Sequence, residues 1–127
     1  LIAEKLKKPF IYVRPEPKPH GAGKQIEGKI LEKVPVVVIE DLISTGKSSL
    51  NAIKALQKNS IEVLGVFAIF SYGLEIAKIN FEKADQNFYS LSDFSRLVEC
   101  SKNKMDFSEE DLDKVNSWKK NPTNWTF

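Results

Sequence analysis

Long apolar runs in this chain alternate with a segment in which apolar residues recur every three or four positions. The runs at residues 34–39 and 61–70 predict two strands. Their unbroken apolar character predicts that both faces of each strand are buried, as in a parallel sheet. Between them, residues 46–58 have the apolar spacing of a helix. These three elements therefore predict a β-α-β unit with a right-handed crossover.

The same alternation continues on both sides of this unit. The β-branched and aromatic run at residues 10–13 predicts a short buried strand. Residues 14–29, RPEPKPHGAGKQIEGK, contain three Pro and three Gly and predict a long mobile loop. Ser108 precedes three acidic residues, which predicts an N-cap and a helix through about Lys120. Further predicted elements are a helix over 74–84, a strand over 87–91 and a helix over 92–100. The predicted fold class is α/β.

Composition narrows the class of protein. The chain has 127 residues, of which 42% are hydrophobic and 28% charged, and we expect a single globular domain over residues 1–127. A net charge of +2 gives no reason to expect nucleic acid as a partner, and no apolar run is long enough to predict a membrane span. The single Cys100 excludes an internal disulfide, and we expect it to be buried rather than nucleophilic. No metal-ligand set is predicted, and the cytoplasm is the expected compartment.

The first six residues have apolar positions at helical spacing, which Pro9 ends, and no initiating Met precedes them. A domain that opens partway along an amphipathic helix is unusual. We therefore expect that an N-terminal portion of a longer chain is missing from this sequence.

The stretch VVVIEDLISTGKSS, residues 36–49, ends in the Gly-Lys-Ser sequence typical of a nucleotide-binding P-loop. That motif requires a glycine five positions before its second glycine, and this position is Asp41. Glu40 adds a second carboxylate where a triphosphate would bring several negative charges. The residues therefore argue against a P-loop.

A sugar phosphate suits this stretch better. The carboxylates of Glu40 and Asp41 can accept hydrogen bonds from ribose hydroxyls. The hydroxyls of Ser44, Thr45 and Ser48, with free N–H groups at the start of the helix, can hold a phosphate. The alternative is a purely structural one, in which an acidic strand end is followed by a Ser/Thr helix cap.

The sequence IEDLISTGKSS resembles the phosphoribosyl-pyrophosphate signature of the type I phosphoribosyltransferases. The resemblance implies a Rossmann-like parallel-sheet fold in which the acidic pair holds the ribose and the turn holds the 5′-phosphate. Lys47 departs from the small or hydroxylated residue that the family more often has there. The resemblance implies that phosphoribosyl pyrophosphate contacts Glu40, Asp41, Leu42, Ile43, Ser44, Thr45, Gly46, Lys47 and Ser48, with Ser44 also near the acceptor base.

The basic loop ahead of the signature strand is more discriminating. Arg14, Lys18 and His20, followed by two glycines, resemble the catalytic loop of the orotate phosphoribosyltransferase family. Two fixed positive charges and a proton donor suit a pyrophosphate leaving group. The resemblance implies that Arg14, Lys18 and His20 also bind phosphoribosyl pyrophosphate and that they form the catalytic set together with Asp41. Two departures concern the acceptor: Pro15 replaces a second basic residue, and Ser71-Tyr72-Gly73 stands where some members have an orotate-binding arginine.

The resemblance implies that orotate and phosphoribosyl pyrophosphate are converted to orotidine 5′-phosphate and pyrophosphate. It also implies Mg²⁺ as cofactor and a homodimer that shares the basic loop across its interface, with neither nucleic acid nor a membrane as partner. The alternatives are a phosphoribosyltransferase for a purine base and a non-catalytic regulator that senses nucleotides. Features interpreted as packing, interface or solvated surface are Trp118, Trp125, Phe127, Lys102 and Lys104.

Overall fold

A computed structural model describes residues 1–16, 25–104 and 108–122, except for the side chains of residues 103 and 104. Within these ranges the chain forms five strands and five helices. The strands are β1 (Ile11–Val13), β2 (Ile26–Gly28), β3 (Val36–Ile43), β4 (Val63–Ser71) and β5 (Phe88–Asp93). The helices are α1 (Ile2–Lys5), α2 (Lys47–Lys58), α3 (Glu75–Lys83), α4 (Phe94–Lys104) and α5 (Glu109–Lys120).

The centre of the fold is a parallel sheet with the strand order β3-β4-β5. The middle strand β4 pairs with both neighbours, and the register places Ile39 opposite Phe67 and Phe67 opposite Tyr89. The predicted β-α-β unit is confirmed, and so is the α/β class. Because the crossovers advance in one direction across the sheet, right-handed connections bring α2 and α3 to the same face.

That face carries the main core. Apolar side chains of β3, β4, α2 and α3 meet there, and each buried Val, Ile or Phe side chain contributes roughly 1.5–3 kcal/mol relative to exposure. The members of this cluster are Ile43, Ile53, Val66, Ala68, Ala77 and Phe81.

The opposite face of the sheet corrects a prediction. The apolar runs predicted strands buried on both faces, yet side chains alternate between the faces along each strand, and the large apolar side chains on this face are exposed. Phe67 and Tyr89 stack there with ring centroids 5.2 Å apart, and each is about half exposed. The alternation arises because both crossover helices lie on the other side, and side chains alternate between faces along a strand. The other exposed apolar side chains of this face are Val37, Ile39, Ile69 and Leu91.

The segment over residues 10–28 also differs from its prediction. β1 and β2 pair as an antiparallel hairpin, so the last part of the predicted loop is a strand. β1 is not a buried strand, since Phe10 and Tyr12 are exposed. Its remaining side chains pack with Ile26 against the C-terminal part of α2 and the first residues of β3 and β4. The hairpin base therefore lies at the amino end of the parallel sheet.

Element boundaries differ from the predictions by a few residues. β3 begins at Val36 rather than at residue 34 and continues to Ile43, so it includes the acidic pair that was expected to follow it. α4 extends to Lys104, four residues beyond its predicted end. The predicted N-cap at Ser108 is confirmed, and α5 ends at Lys120 as expected.

Candidate functional site: the turn between β3 and α2

The turn at residues 44–46 joins the carboxyl end of β3 to α2. Gly46 is the N-cap of α2 and has a positive φ of 76°. A Cβ atom at this position would lie 2.5 Å from Cε2 of Phe81, which is in the core. Both the backbone conformation and the close packing therefore require glycine here. The α2 N-cap makes no side-chain capping bond, so the first N–H groups of the helix have no side-chain cap.

Neighbouring elements hold this turn from two sides. The side-chain amide of Asn80 in α3 donates to the carbonyl oxygen of Thr45 at 2.9 Å. The backbone N–H of Tyr72, just after β4, donates to the carbonyl oxygen of Ile43 at 3.0 Å. Sequence reasoning missed Asn80 and Phe81, because α3 reads as an ordinary helix and its contact with the turn is 35 residues away along the chain.

The two carboxylates of the signature are not side by side. Because they are consecutive residues of a strand, Glu40 and Asp41 point to opposite faces of the sheet. Oε1 of Glu40 accepts hydrogen bonds from Ser48 Oγ at 2.9 Å and from Ser49 Oγ at 2.7 Å. Asp41 is exposed, and its Oδ1 accepts from the N–H of Leu42 at 2.7 Å. Glu40 thus braces the start of α2, while Asp41 faces solvent at the open side.

The predicted phosphate residues differ in accessibility. Ser44, Lys47 and Ser48 are exposed, and Thr45 is half-buried. The side chain of Ile43 is in the core with 1% exposure, so this residue can offer a ligand its backbone only. Residues with hydroxyl groups therefore lie beside the first N–H groups of α2, which is an arrangement suited to hold a phosphate at a helix start.

The residues of the basic loop lie at the other end of the sheet or outside the described residues. Arg14 directly follows β1, and its Nε and one terminal nitrogen both lie 2.8 Å from Glu27 Oε1. The N–H of Arg14 also donates to the carbonyl oxygen of Gln25. The structure thus does not bring Arg14 to the turn of its own chain. Lys18 and His20 lie outside the described residues.

The carboxyl end of the sheet also carries an aromatic cluster. Trp118 of α5 packs against Tyr72 and Phe94, with ring centroids 5.3 and 5.0 Å away. Lys119 of α5 donates to Ser95 Oγ at 2.7 Å. The prediction that Trp118 serves packing is therefore confirmed. Trp125 and Phe127 lie outside the described residues.

Two smaller predictions have different outcomes. Cys100 is exposed, so its expected burial is wrong: it lies within α4 rather than at the helix end, on a part of the helix surface that is open to solvent. Lys102 is exposed, as expected of a solvated stretch, and the side chain of Lys104 lies outside the described part.

No three metal-ligating side chains converge within residues 1–16, 25–104 and 108–122. Among the helices of the same ranges, none combines the length and hydropathy that a membrane crossing requires.

The sequence of this chain was compared with those of known proteins. No family model matches the chain. Orotate phosphoribosyltransferase of Cytophaga hutchinsonii is 43% identical over 98% of this chain. The protein of the same name from Bacillus subtilis is 49% identical over 96% of this chain. This chain is homologous to the orotate phosphoribosyltransferases. It spans 60% and 56% of the length of these two relatives.

Solved structures support the fold. Orotate phosphoribosyltransferase of Aeropyrum pernix has a TM-score of 0.65 and 28% identity, covering 77% of this chain and 53% of its own. UMP synthase of Leishmania donovani, with a TM-score of 0.73 and 24% identity, covers 92% of this chain and 25% of its own and shows the fold alone. The Mycobacterium tuberculosis orotate phosphoribosyltransferase in complex with phosphoribosyl pyrophosphate has a TM-score of 0.50 and 28% identity, over 56% of this chain and 42% of its own. The predicted type I phosphoribosyltransferase fold and the resemblance to this family are confirmed.

Proposed function

We propose that the protein is an orotate phosphoribosyltransferase, a pentosyltransferase that makes orotidine 5′-phosphate for pyrimidine and UMP biosynthesis in the cytoplasm. The observation that carries this proposal is the turn at residues 44–46, whose hydroxyls and uncapped N–H groups stand beside two carboxylates at the carboxyl end of a parallel strand. Ligands of open α/β sheets bind in the crevice at this end. The M. tuberculosis homologue in complex with phosphoribosyl pyrophosphate supports the same ligand class.

In the proposed complex, the 5′-phosphate lies on the turn and the first N–H groups of α2. The exposed hydroxyls of Ser44 and Ser48 and the half-buried hydroxyl of Thr45 donate to its oxygens. Glu40 and Asp41 accept hydrogen bonds from ribose hydroxyls, each from its own face of the sheet. Ser44, the first residue after β3, also lies next to the orotate.

The reaction breaks the bond between ribose C1′ and the pyrophosphate oxygen, and the electron pair leaves with pyrophosphate. The ring nitrogen of orotate then forms the new bond to C1′ and loses its proton to solvent or to the released pyrophosphate. The ribose carbon becomes cationic between these events, and the exposed carboxylate of Asp41 is suited to stabilise that charge. Arg14, Lys18 and His20 are proposed to neutralise the leaving pyrophosphate, with His20 able to donate a proton.

We propose that these basic residues act on the site of a second copy of the chain. Val13 and Ile26, the strand residues that flank the loop, pack at the amino end of the sheet. Residues 14–25 reach at most about 20 Å as two extended arms, whereas β3 alone is roughly 25 Å long. The loop would have to lie fully extended along its own sheet to approach the turn. A homodimer that exchanges loops removes that requirement.

Mg²⁺ is the proposed cofactor, bound together with the substrate. The described residues offer no set of three ligands, and this fits an ion held by one carboxylate and by substrate phosphates. Asp41 is the exposed carboxylate at the site. When bound, the ion would supply charge that screens the pyrophosphate.

The acceptor base is assigned by the homologues rather than by the turn. The alternative of a purine acceptor has no specific support in the described residues. A non-catalytic regulator would not need Arg14, Lys18 and His20. The single domain over residues 1–127 also remains a proposal.

An assay of the complete protein with phosphoribosyl pyrophosphate and Mg²⁺ tests the function. Orotate, uracil and hypoxanthine are supplied separately, and released pyrophosphate is measured. Turnover is expected with orotate and not with the other two bases. Turnover with hypoxanthine alone would establish the purine alternative, and binding without any turnover would establish a regulator.

A further inference from the structure

α2 buries a serine where its pattern calls for an apolar residue. Ser49 shares the buried face of the helix with Ile53 and Leu56, at spacings of four and three residues, and its exposure is 0%. A polar group buried in this way needs a partner. Its hydroxyl donates to Oε1 of Glu40 at 2.7 Å. Glu40 lies in β3, the strand that precedes α2, and belongs to the signature. This contact therefore joins the core to the proposed ribose site.

The exposed Ser48 donates to the same oxygen of Glu40, at 2.9 Å. A serine hydroxyl carries a single proton, so Ser48 cannot donate to Glu40 and to a ligand phosphate at the same time. Ser49 does not face this choice, because it is shielded from solvent and points into the protein. When a phosphate accepts the hydrogen bond from Ser48, the Ser49 hydroxyl still donates to the Glu40 carboxylate.

We infer that Ser49 is a positioning residue: it anchors the Glu40 carboxylate for ribose recognition while the Ser48 hydroxyl changes partner from Glu40 to the ligand phosphate. This inference rests on the proposed function, because it assigns the ribose hydroxyls to Glu40. It distinguishes two adjacent serines at the start of α2 by their burial. Ser48 serves the phosphate, and Ser49 serves the ribose through Glu40.

Two ligands separate these roles by calorimetry on the complete protein. Inorganic phosphate uses the turn alone, whereas ribose 5-phosphate also uses the carboxylates. Ser49→Ala is expected to weaken ribose 5-phosphate about tenfold, like the loss of one charge-assisted hydrogen bond, and to leave phosphate within about twofold. Ser48→Ala, the matched control, is expected to weaken both ligands by a similar factor. Ser49→Cys keeps a weak donor of nearly the same size and is expected to be intermediate.

Equal weakening of both ligands by Ser49→Ala, or weakening of neither, would overturn the inference. A second readout does not depend on ribose. With ¹³C-labelled glutamate, the Glu40 carboxyl resonance is followed as phosphate is added. It is expected to move little in the natural protein, and in Ser49→Ala to move toward the position of a solvent-exposed glutamate. Identical movement in both proteins would refute the anchor, whereas a natural protein that binds phosphate and ribose 5-phosphate equally would refute the proposed ribose site.

Discussion

At the carboxyl end of the parallel sheet, the turn before α2 is held by Asn80, by the N–H of Tyr72 and by the ring of Phe81 beneath Gly46. At the amino end, the β1–β2 hairpin packs on the core through its base, and Arg14 beyond that base is held by the partly exposed Glu27. A site for a fixed phosphate needs preorganised donors. A group that must approach from outside needs freedom to move. The turn is fixed by contacts from α3 and from the residue after β4, whereas Arg14 is held by an ion pair whose two side chains are 35% and 39% exposed.

The largest expected effect tests whether the basic loop of one subunit and the turn before α2 of another subunit form one site. Lys18→Ala and Asp41→Asn should each lower turnover by on the order of a hundredfold or more. Mixed under conditions that exchange subunits, the two inactive proteins should regain about a quarter of the natural activity, because half of the dimers then contain one intact site. Pyrophosphate release measures the recovery. If verified exchange restores nothing, the loop serves its own subunit.

The rigidity of the carboxyl end is tested at Gly46. Gly46→Ala forces a side chain into a positive φ and against Phe81, and should lower the free energy of unfolding by about 3 kcal/mol. Gly73→Ala is the control, since φ is also positive there but the nearest atom is the flexible Nζ of Lys119 at 3.7 Å. It should cost only about 1 kcal/mol. Urea unfolding measures both values, and equal losses would show that the Phe81 contact is unimportant.

Lys47 is expected to contribute little despite its place in the turn. It is exposed, and a cation at the N-terminus of α2 gains nothing from the helix dipole. Lys47→Ala should leave turnover within about threefold, as expected for one solvated charge. Steady-state kinetics beside Asp41→Asn gives the comparison. A loss as large as that of Asp41→Asn would assign the lysine to the phosphate.

The smallest expected effect concerns the N-cap of α5, the helix that brings Trp118 to the aromatic cluster. Hydrogen bonds from the side chain and N–H of Ser108 hold the pKa of Asp111 below its ordinary value of 3.8. This cap therefore contributes stability above about pH 3.8 and loses it as the pH falls through the lowered pKa of the folded state. Trp118 fluorescence, in a Trp125→Phe background, should report loosening of α5 on acidification. Ser108→Ala should reduce that pH dependence, and an unchanged profile would show that the cap does not control the helix.

The sequence by itself determined the α/β class, the order of the main elements and the candidate ligand-binding turn. These features follow from local patterns: apolar periodicity for α2 and the central strands, and a Ser/Thr-Gly turn after two acids for the candidate phosphate site. The N-cap at Ser108 was equally predictable, because capping depends on residues three positions apart.

Only the tertiary structure decided which side chains share the site. That Glu40 and Asp41 face opposite sides follows from β3 continuing past them, and strand ends depend on pairing with β4. The contacts of Asn80 and Phe81 with the turn depend on α3 packing beside α2, which no local pattern encodes. The open sheet face has the same origin: the apolar runs were compatible with burial on both sides, and the side on which the crossover helices packed decided which residues were covered.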